Sequence, residues 1–248
     1  MSPPSEGLRT PHPADSVLGR FVLNLDDAIY CELASRMGNL YLKVDEVFAK
    51  VESKRFITDV VEVQMDPKTG IPFIELRATL RVLLSVKEVS VMVQSGKSYD
   101  PNRFHVVTKP GLKKESQVEL HDPSMTMTIN LMSLARMYDD NNRSLSFWTS
   151  LVCDHPLNPS VRFREQGWIM GSASPSSPQD SSVVQVCYRL SPDLQPGSVY
   201  SNLHHDTATM TAFVLQNLGA VMRKKFLGME ILYSNESIRS RLTQRPQR

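Results

Sequence analysis

The stretch 181–227 constrains the fold most, because within it the apolar period changes from two to about 3.6, with a proline-rich break between. Val184, Val186, Tyr188 and Leu190 alternate with Val183, Gln185, Cys187 and Arg189, so an extended segment gathers the first four on one face. Pro192, Pro196 and Gly197 then end the ladder, since a proline donates no backbone hydrogen bond. From about Asp206 the spacing is helical. Met210, Phe213, Val214, Asn217, Leu218, Val221 and Met222 fall on one broad face. A strand that hands over to a long amphipathic helix predicts that helix laid across a curved antiparallel sheet. The space between the two is the expected functional part.

The rest of the chain supplies the sheet. Residues 73–84 alternate cleanly, with Ile74, Leu76, Ala78, Leu80, Val82 and Leu84 on one side and Glu75, Arg77, Thr79 and Arg81 on the other. That is the pattern of an antiparallel sheet with one wet face. Ile57, Asp59, Val61, Val63 and Met65 form a preceding strand, joined to it by a turn over residues 66–70. Residues 86–95 read as a short helix, although their valines also suit a strand. Short strands are expected at 104–108 and 117–120, separated by a basic loop at Lys113 and Lys114. Met125, Met127, Ile129 and Leu131 alternate with Thr126, Thr128 and Asn130, so 125–138 is a strand and 144–153 its hairpin return. In 161–170, Arg162, Arg164, Gln166 and Trp168 share one face, and the two arginines are expected in solvent. Residues 171–178 are a Gly-, Ser- and Pro-rich loop.

Ahead of the sheet, Leu25, Ile29, Leu33, Met37, Leu40, Val44, Val47, Phe48 and Val51 recur every three or four residues, which predicts a helix over 21–52. Asn24 or Asp26 would cap it, and Gly38 would divide it. A coiled-coil arm is the alternative, although the apolar stripe is wider than a heptad seam. Residues 1–20 hold four prolines and few large apolar groups, so they are expected to stay disordered. The domain then spans 21–233, and 234–248 is a polar, basic tail with a frayed helical turn at most.

With 248 residues and 41% hydrophobic content the chain can bury one substantial core. A net charge of +2 gives no global field for nucleic acid or membrane, though basic residues lean to the C-terminal end. Three widely spaced cysteines fit a reducing compartment, and the start of the chain shows no secretory signal. No apolar run approaches the roughly 18 residues of a membrane span. A soluble cytoplasmic protein is the expectation.

No reaction chemistry emerges. His204, His205 and Asp206 lack a further ligand at metal spacing and read as the link capping the last helix. Cys153, Asp154 and His155 are consecutive, which is not how a nucleophile and its base are presented. Nucleotide, P-loop, nucleophile-elbow and zinc-protease motifs are absent from the sequence. Trp148 and Trp168 beside Arg162 and Arg164 would be a stacking platform, but the near-neutral charge argues against nucleic acid. Glu75 and His105 are the first candidates for acid–base work in a cyclase-type reading, which is the weakest of the three functional readings.

The element order, and several local runs, resemble the helix-grip fold of START-related lipid-transfer domains. Leu40-Tyr-Leu-Lys-Val-Asp-Glu-Val-Phe48 resembles the divergent START-like proteins of oomycetes. So do Phe73-Ile-Glu-Leu-Arg77 and the run from Ala135 to Arg143 followed by Leu145-Ser-Phe-Trp148. Asp154-His-Pro-Leu157, then 162–168 and 183–193, resemble the last strands of that fold, and together the likeness covers residues 21–232. It implies an α+β domain with a cavity for a lipid or another hydrophobic small molecule, and the lack of reaction motifs in the residues adds the expectation of no enzyme activity and no cofactor.

A coiling sheet offers an apolar face larger than one helix fills. Leu76, Leu80, Trp148, Trp168, Tyr188, Met210, Phe213, Asn217 and Val221 are the candidate lining, with Asn217 placed to orient a ligand's polar end. The 12 methionines would let such a wall adapt. The alternative is a regulatory domain with a filled pocket, contacting a protein partner through its first helix or its basic tail.

Overall fold

The computed structural model describes residues 25–49, 62–94, 112–121, 123, 125–139, 142–153, 162–193 and 205–243. The expectations for 1–20, for the strands at 57–61 and 104–108, and for Asn24, His105 and His204 lie outside these residues.

Among the described residues seven antiparallel strands form one sheet: β1 (Val63–Met65), β2 (Pro72–Val82), β3 (Leu112–His121), β4 (Thr126–Asp139), β5 (Arg143–Cys153), β6 (Arg162–Ala173) and β7 (Ser182–Pro192). Their spatial order is β1-β2-β7-β6-β5-β4-β3, so the last strand closes against the second and sits inside the sheet. Among the described residues four helices accompany them: α1 (Leu25–Leu42), α2 (Val44–Ala49), α3 (Val86–Gln94) and α4 (His205–Thr243). α4 packs against β1, β2 and β7 near one margin and against β3 at the other, and the sheet wraps around it.

Local chemistry explains the joints. Between β1 and β2, Asp66 Oδ1 accepts from the Lys68 and Thr69 amides at 2.9 and 3.2 Å, and Gly70 takes φ +64°, where only glycine is free of strain. α3 opens on a capping box. The Ser85 amide donates to Glu88 Oε2 at 2.7 Å and the Glu88 amide donates back to Ser85 Oγ at 3.3 Å. That box settles the helix at 86–94 against the strand-forming tendency of its valines.

Several expectations are corrected. The first helix breaks at Lys43, not at Gly38, which lies within α1. Lys113 and Lys114 are not in a loop, because their backbone pairs with β4 opposite Leu134 and Ser133. Gly171, Ser172 and Ala173 continue β6 instead of opening the loop. α4 runs through to Thr243, so the segment from Ser234 is helix and not a tail with one frayed turn.

The largest correction concerns the wet face, because the sheet is covered on both sides. One cluster joins Ile74, Leu76, Val118, Ile129, Val152, Phe163, Val186, Tyr188 and Leu190 to Phe213, Leu218, Met222 and Phe226 of α4. A second joins Leu145, Phe147, Leu151, Cys153, Trp168 and Cys187, from the opposite face, to Leu33, Met37 and Leu40 of α1 and Phe48 of α2. The apolar stripe that a coiled-coil arm would need is thus spent on the chain's own sheet.

Arg162 and Arg164 are accordingly not in open solvent. Arg164 is only 6% exposed, and its Nη2 lies 2.5 Å from Glu32 Oε1 of α1 and 2.8 Å from Asp193 Oδ2. Arg162 Nη2 reaches the same two acids at 3.4 and 3.0 Å. The more exposed Arg36 also lies 3.2 Å from Glu32 Oε1, so every charge of this docking cluster has a counter-ion, the condition for tolerating charge at a buried face. Trp168 Nε1 donates to the Leu40 carbonyl at 3.1 Å, and an Arg77 guanidinium N–H donates to the Val47 carbonyl, so side chains of the sheet satisfy carbonyls near the ends of α1 and α2.

Replacing Arg164→Met should therefore cost about 2–3 kcal/mol, below the full penalty of an unpaired buried charge because Glu32 is a third exposed. Urea unfolding would read this as a lower midpoint, and limited proteolysis should cut α1 first.

Candidate ligand site between the sheet and the long helix

Strand register decides which side chains face α4. In β5 the apolar set Leu145, Phe147, Leu151 and Cys153 faces α1, so the face toward α4 receives Ser144, Ser146, Trp148, Ser150 and Val152. In β6 the same parity turns Phe163, Glu165, Gly167 and Ile169 toward α4. The floor under the helix is therefore apolar at its margins and polar in the middle.

Two adjacent cross-strand rows carry that polarity. Ser133 of β4 faces Ser150 of β5, which faces Glu165 of β6. Ser133 Oγ donates to Ser150 Oγ at 2.8 Å. In the next row Ala135, Trp148, Gly167, Tyr188 and Leu76 follow one another across β4, β5, β6, β7 and β2. The Trp148 indole lies over Gly167, where an added Cβ would sit 2.0 Å from the ring. From there Trp148 Nε1 donates to Glu165 Oε1 at 3.2 Å, so the absence of a side chain at 167 lets the ring tie the two rows together.

Glu165 is 5% exposed and Tyr188 is fully buried. Among the described residues the Tyr188 hydroxyl has no hydrogen-bond partner, although its ring meets Phe226 of α4 edge-on with centroids 6.2 Å apart. Burial pushes this phenol well above its ordinary range, and the Glu165 charge beside it adds to the shift. A buried hydroxyl without a partner costs about 1–3 kcal/mol, so its place beside a carboxylate marks where an incoming polar group would be satisfied.

Six of the nine residues expected from the sequence meet here. Leu76, Leu80, Trp148, Tyr188, Met210 and Phe213 belong to or pack against the α4-side cluster. Trp168 does not, because Trp148 pairs with Gly167 and the following residue must point to the other face, where it packs under α1. Asn217 donates its amide to the Phe213 carbonyl one turn back at 2.9 Å, which engages the group expected to orient a ligand. Val221 is half-buried and does not join the cluster. Glu75 turns to the α1 side and accepts from Arg77 Nε at 2.8 Å. Glu165, Ser133 and Ser150 were not anticipated. The signal for Glu165 was present, since a face shared by Arg162, Arg164 and Trp168 forces Glu165 onto the other one.

Desolvation raises Cys187 to about 12 and Tyr233 to about 12, whereas Cys31 is exposed on α1. Among the described residues no group of three His, Cys, Asp or Glu is disposed to hold a metal, and no helix is long and apolar enough to cross a membrane.

An antiparallel sheet wrapped on a C-terminal helix, with further helices at the N-terminal side, defines an α+β helix-grip fold. No protein-family model and no curated protein matches the chain. Among solved structures it is similar to human STARD10, with TM-score 0.41 and 13% identity over 77% of this chain and 78% of that one. It is also similar to an uncharacterized protein from Rhizobium leguminosarum, with TM-score 0.30 and 11% identity over 65% and 97% of the two chains. The Zhui aromatase/cyclase from a Streptomyces species gives TM-score 0.22 and 12% identity over 64% and 96%. At these scores the likenesses carry no argument about activity, and the site rests on its own geometry.

Two outcomes follow from the site. Gly167→Ala should cost about 1–3 kcal/mol by forcing the Trp148 ring aside, seen as a lower urea midpoint with an altered tryptophan emission. The raised values of Cys187, Tyr188 and Tyr233 mean that the folded chain favours their neutral forms, so this stability is intact below about pH 9 and lost as pH climbs toward 12. An ultraviolet phenolate titration should show Tyr188 and Tyr233 ionising only as near-ultraviolet circular dichroism collapses.

Proposed function

We propose that this chain is a non-catalytic, START-like binding module that takes a lipid or another hydrophobic small molecule between its sheet and α4. The observation that carries the reading is the fully buried Tyr188 hydroxyl, without a hydrogen-bond partner among the described residues, beside Glu165 where the polar middle of the floor meets its apolar margin. Leu76, Leu80, Met210 and Phe213 would contact the apolar body of the ligand. The Tyr188 O–H would donate to the ligand's polar end and the Glu165 carboxylate would accept from it. That division suits a ligand with one hydroxyl- or amine-type group on an apolar frame, since such a group both accepts and donates. A single carboxylate with a high-pKa phenol does not offer the pair of differently tuned proton carriers that a cyclase needs near neutral pH. A cytoplasmic setting fits the free thiols, and the oomycete-type branch of the family remains part of the same reading.

Tyr188→Phe gives a test with two readouts of opposite sign. Removing an unpartnered hydroxyl should leave the empty protein as stable or more so, while a bound ligand loses a hydrogen bond and binds about 2- to 10-fold more weakly. Native mass spectrometry after a lipid and small-molecule screen identifies the ligand, and titration of wild type, Tyr188→Phe and Glu165→Gln measures the loss. If no apolar compound adds mass under any condition, the alternative of a regulatory domain with a filled interior takes its place.

A further inference from the structure

Glu165 is a buried acid without a counter-ion among the described residues. It is 5% exposed, and its one side-chain hydrogen bond is the Trp148 Nε1–H donated to Oε1 at 3.2 Å. No described Lys, Arg or His stands within ion-pair distance of it, the half-buried Lys225 of α4 included. Its Oε2 accepts from no described residue, yet it is not closed off as the Tyr188 hydroxyl oxygen is, so it borders open space. By register the row through Glu165 runs Lys114, Ser133, Ser150, Glu165, Leu190 and Ile74, which puts that lysine three strand spacings, about 14 Å, away. The half-buried acids of the other face are each paired, Glu75 to Arg77, and Glu32 and Asp193 to Arg162 and Arg164.

A carboxylate taken out of water is tolerated when it holds a cation or a proton. The neighbourhood suits a cation. Trp148, Phe163, Tyr188 and Phe226 stand together on this side of the sheet, and aromatic rings attract ammonium groups. An anionic head is disfavoured at the same place, because a second carboxylate or a phosphate would meet Glu165 with like charge. An alcohol alone would leave the acid unmatched. The Tyr188 O–H adds a further condition: it needs an acceptor, and an ammonium nitrogen has no lone pair to offer. One guest meets both demands if it carries an oxygen beside its nitrogen.

We infer that the ligand of this site is an amino alcohol on an apolar frame, with its protonated amine against Glu165 and its neighbouring hydroxyl oxygen accepting from Tyr188. The inference rests on the reading that the space under α4 holds an apolar guest, and it narrows that guest to one with a cationic polar end. Heads that are only anionic, such as a carboxylate or a phosphate, do not fit the floor.

Decyl compounds of one chain length test it by calorimetric titration of the full chain near neutral pH, below their micelle concentrations. The set is 1-aminodecan-2-ol, decylamine, decan-1-ol and decanoate. The amino alcohol should bind tightest and decylamine next, about tenfold or more ahead of decan-1-ol, with decanoate last. Glu165→Gln should weaken decylamine about thirtyfold or more, as truncating one side of a buried charge pair does, and erase its lead over decan-1-ol. Tyr188→Phe should bring the amino alcohol down to the level of decylamine. Should Glu165→Gln fail to fold, the ranking on the wild type decides alone. Decan-1-ol or decanoate binding the wild type as tightly as decylamine would overturn the inference and leave an apolar guest standing. So would an amino alcohol no tighter than decylamine, or an unchanged preference in Glu165→Gln. If none of the set binds while another apolar compound adds mass in the native screen, the inference falls alone; if nothing binds at all, the reading it rests on falls with it.

Discussion

Strands β5, β6 and β7 carry buried side chains on both faces, and that property governs the rest of the molecule. An antiparallel sheet with one dry face needs one cover; this one needs two. α3 and α4 supply the first and α1 the second, and none can be removed without exposing an apolar layer. The Glu32, Asp193, Arg162 and Arg164 cluster makes the second cover specific. Hydrophobic packing alone would let α1 slide, whereas four charges and an indole bonded to a single carbonyl fix its place along β6.

The same parity produces the candidate site. Because β5 gives its leucines and Phe147 to α1, it has serines left for α4. Polarity in the middle of the floor is thus the other side of the outer core, and Glu165 and Tyr188 sit where the polar strip meets the apolar rows of β7 and β2. A wholly apolar floor would hold any greasy guest. A floor with one acceptor and one donor at a fixed place selects guests by their polar end.

Much of this was legible in the sequence, for reasons particular residues make plain. β2 and β7 could be read because Leu76 and Tyr188 belong to long runs of strict alternation, and α4 because its period is unmistakable up to Met222. What alternation cannot say is which helix covers which face. Trp148 and Trp168 each look like cavity aromatics, and only the pairing of Trp148 with Gly167 shows that they point apart. Likewise two arginines on a strand look solvated until a glutamate 130 residues away is brought to them. Lys113 and Lys114 read as a loop because charge suggests solvent, yet β3 is an edge strand and its backbone pairing is indifferent to that. The capping pair Ser85 and Glu88 was a readable signal for α3 that the valines obscured.

The indole of Trp148 resting on the bare backbone of Gly167 has a consequence for descent. The two positions cannot drift independently: a lineage that gains any side chain at the second must first, or at once, accept a smaller ring or none at the first. Homologues should therefore preserve the pair or lose it as a unit, and those that lost it would also surrender the only indole donor bonded to the buried acid, with their guest's polar end read by something else.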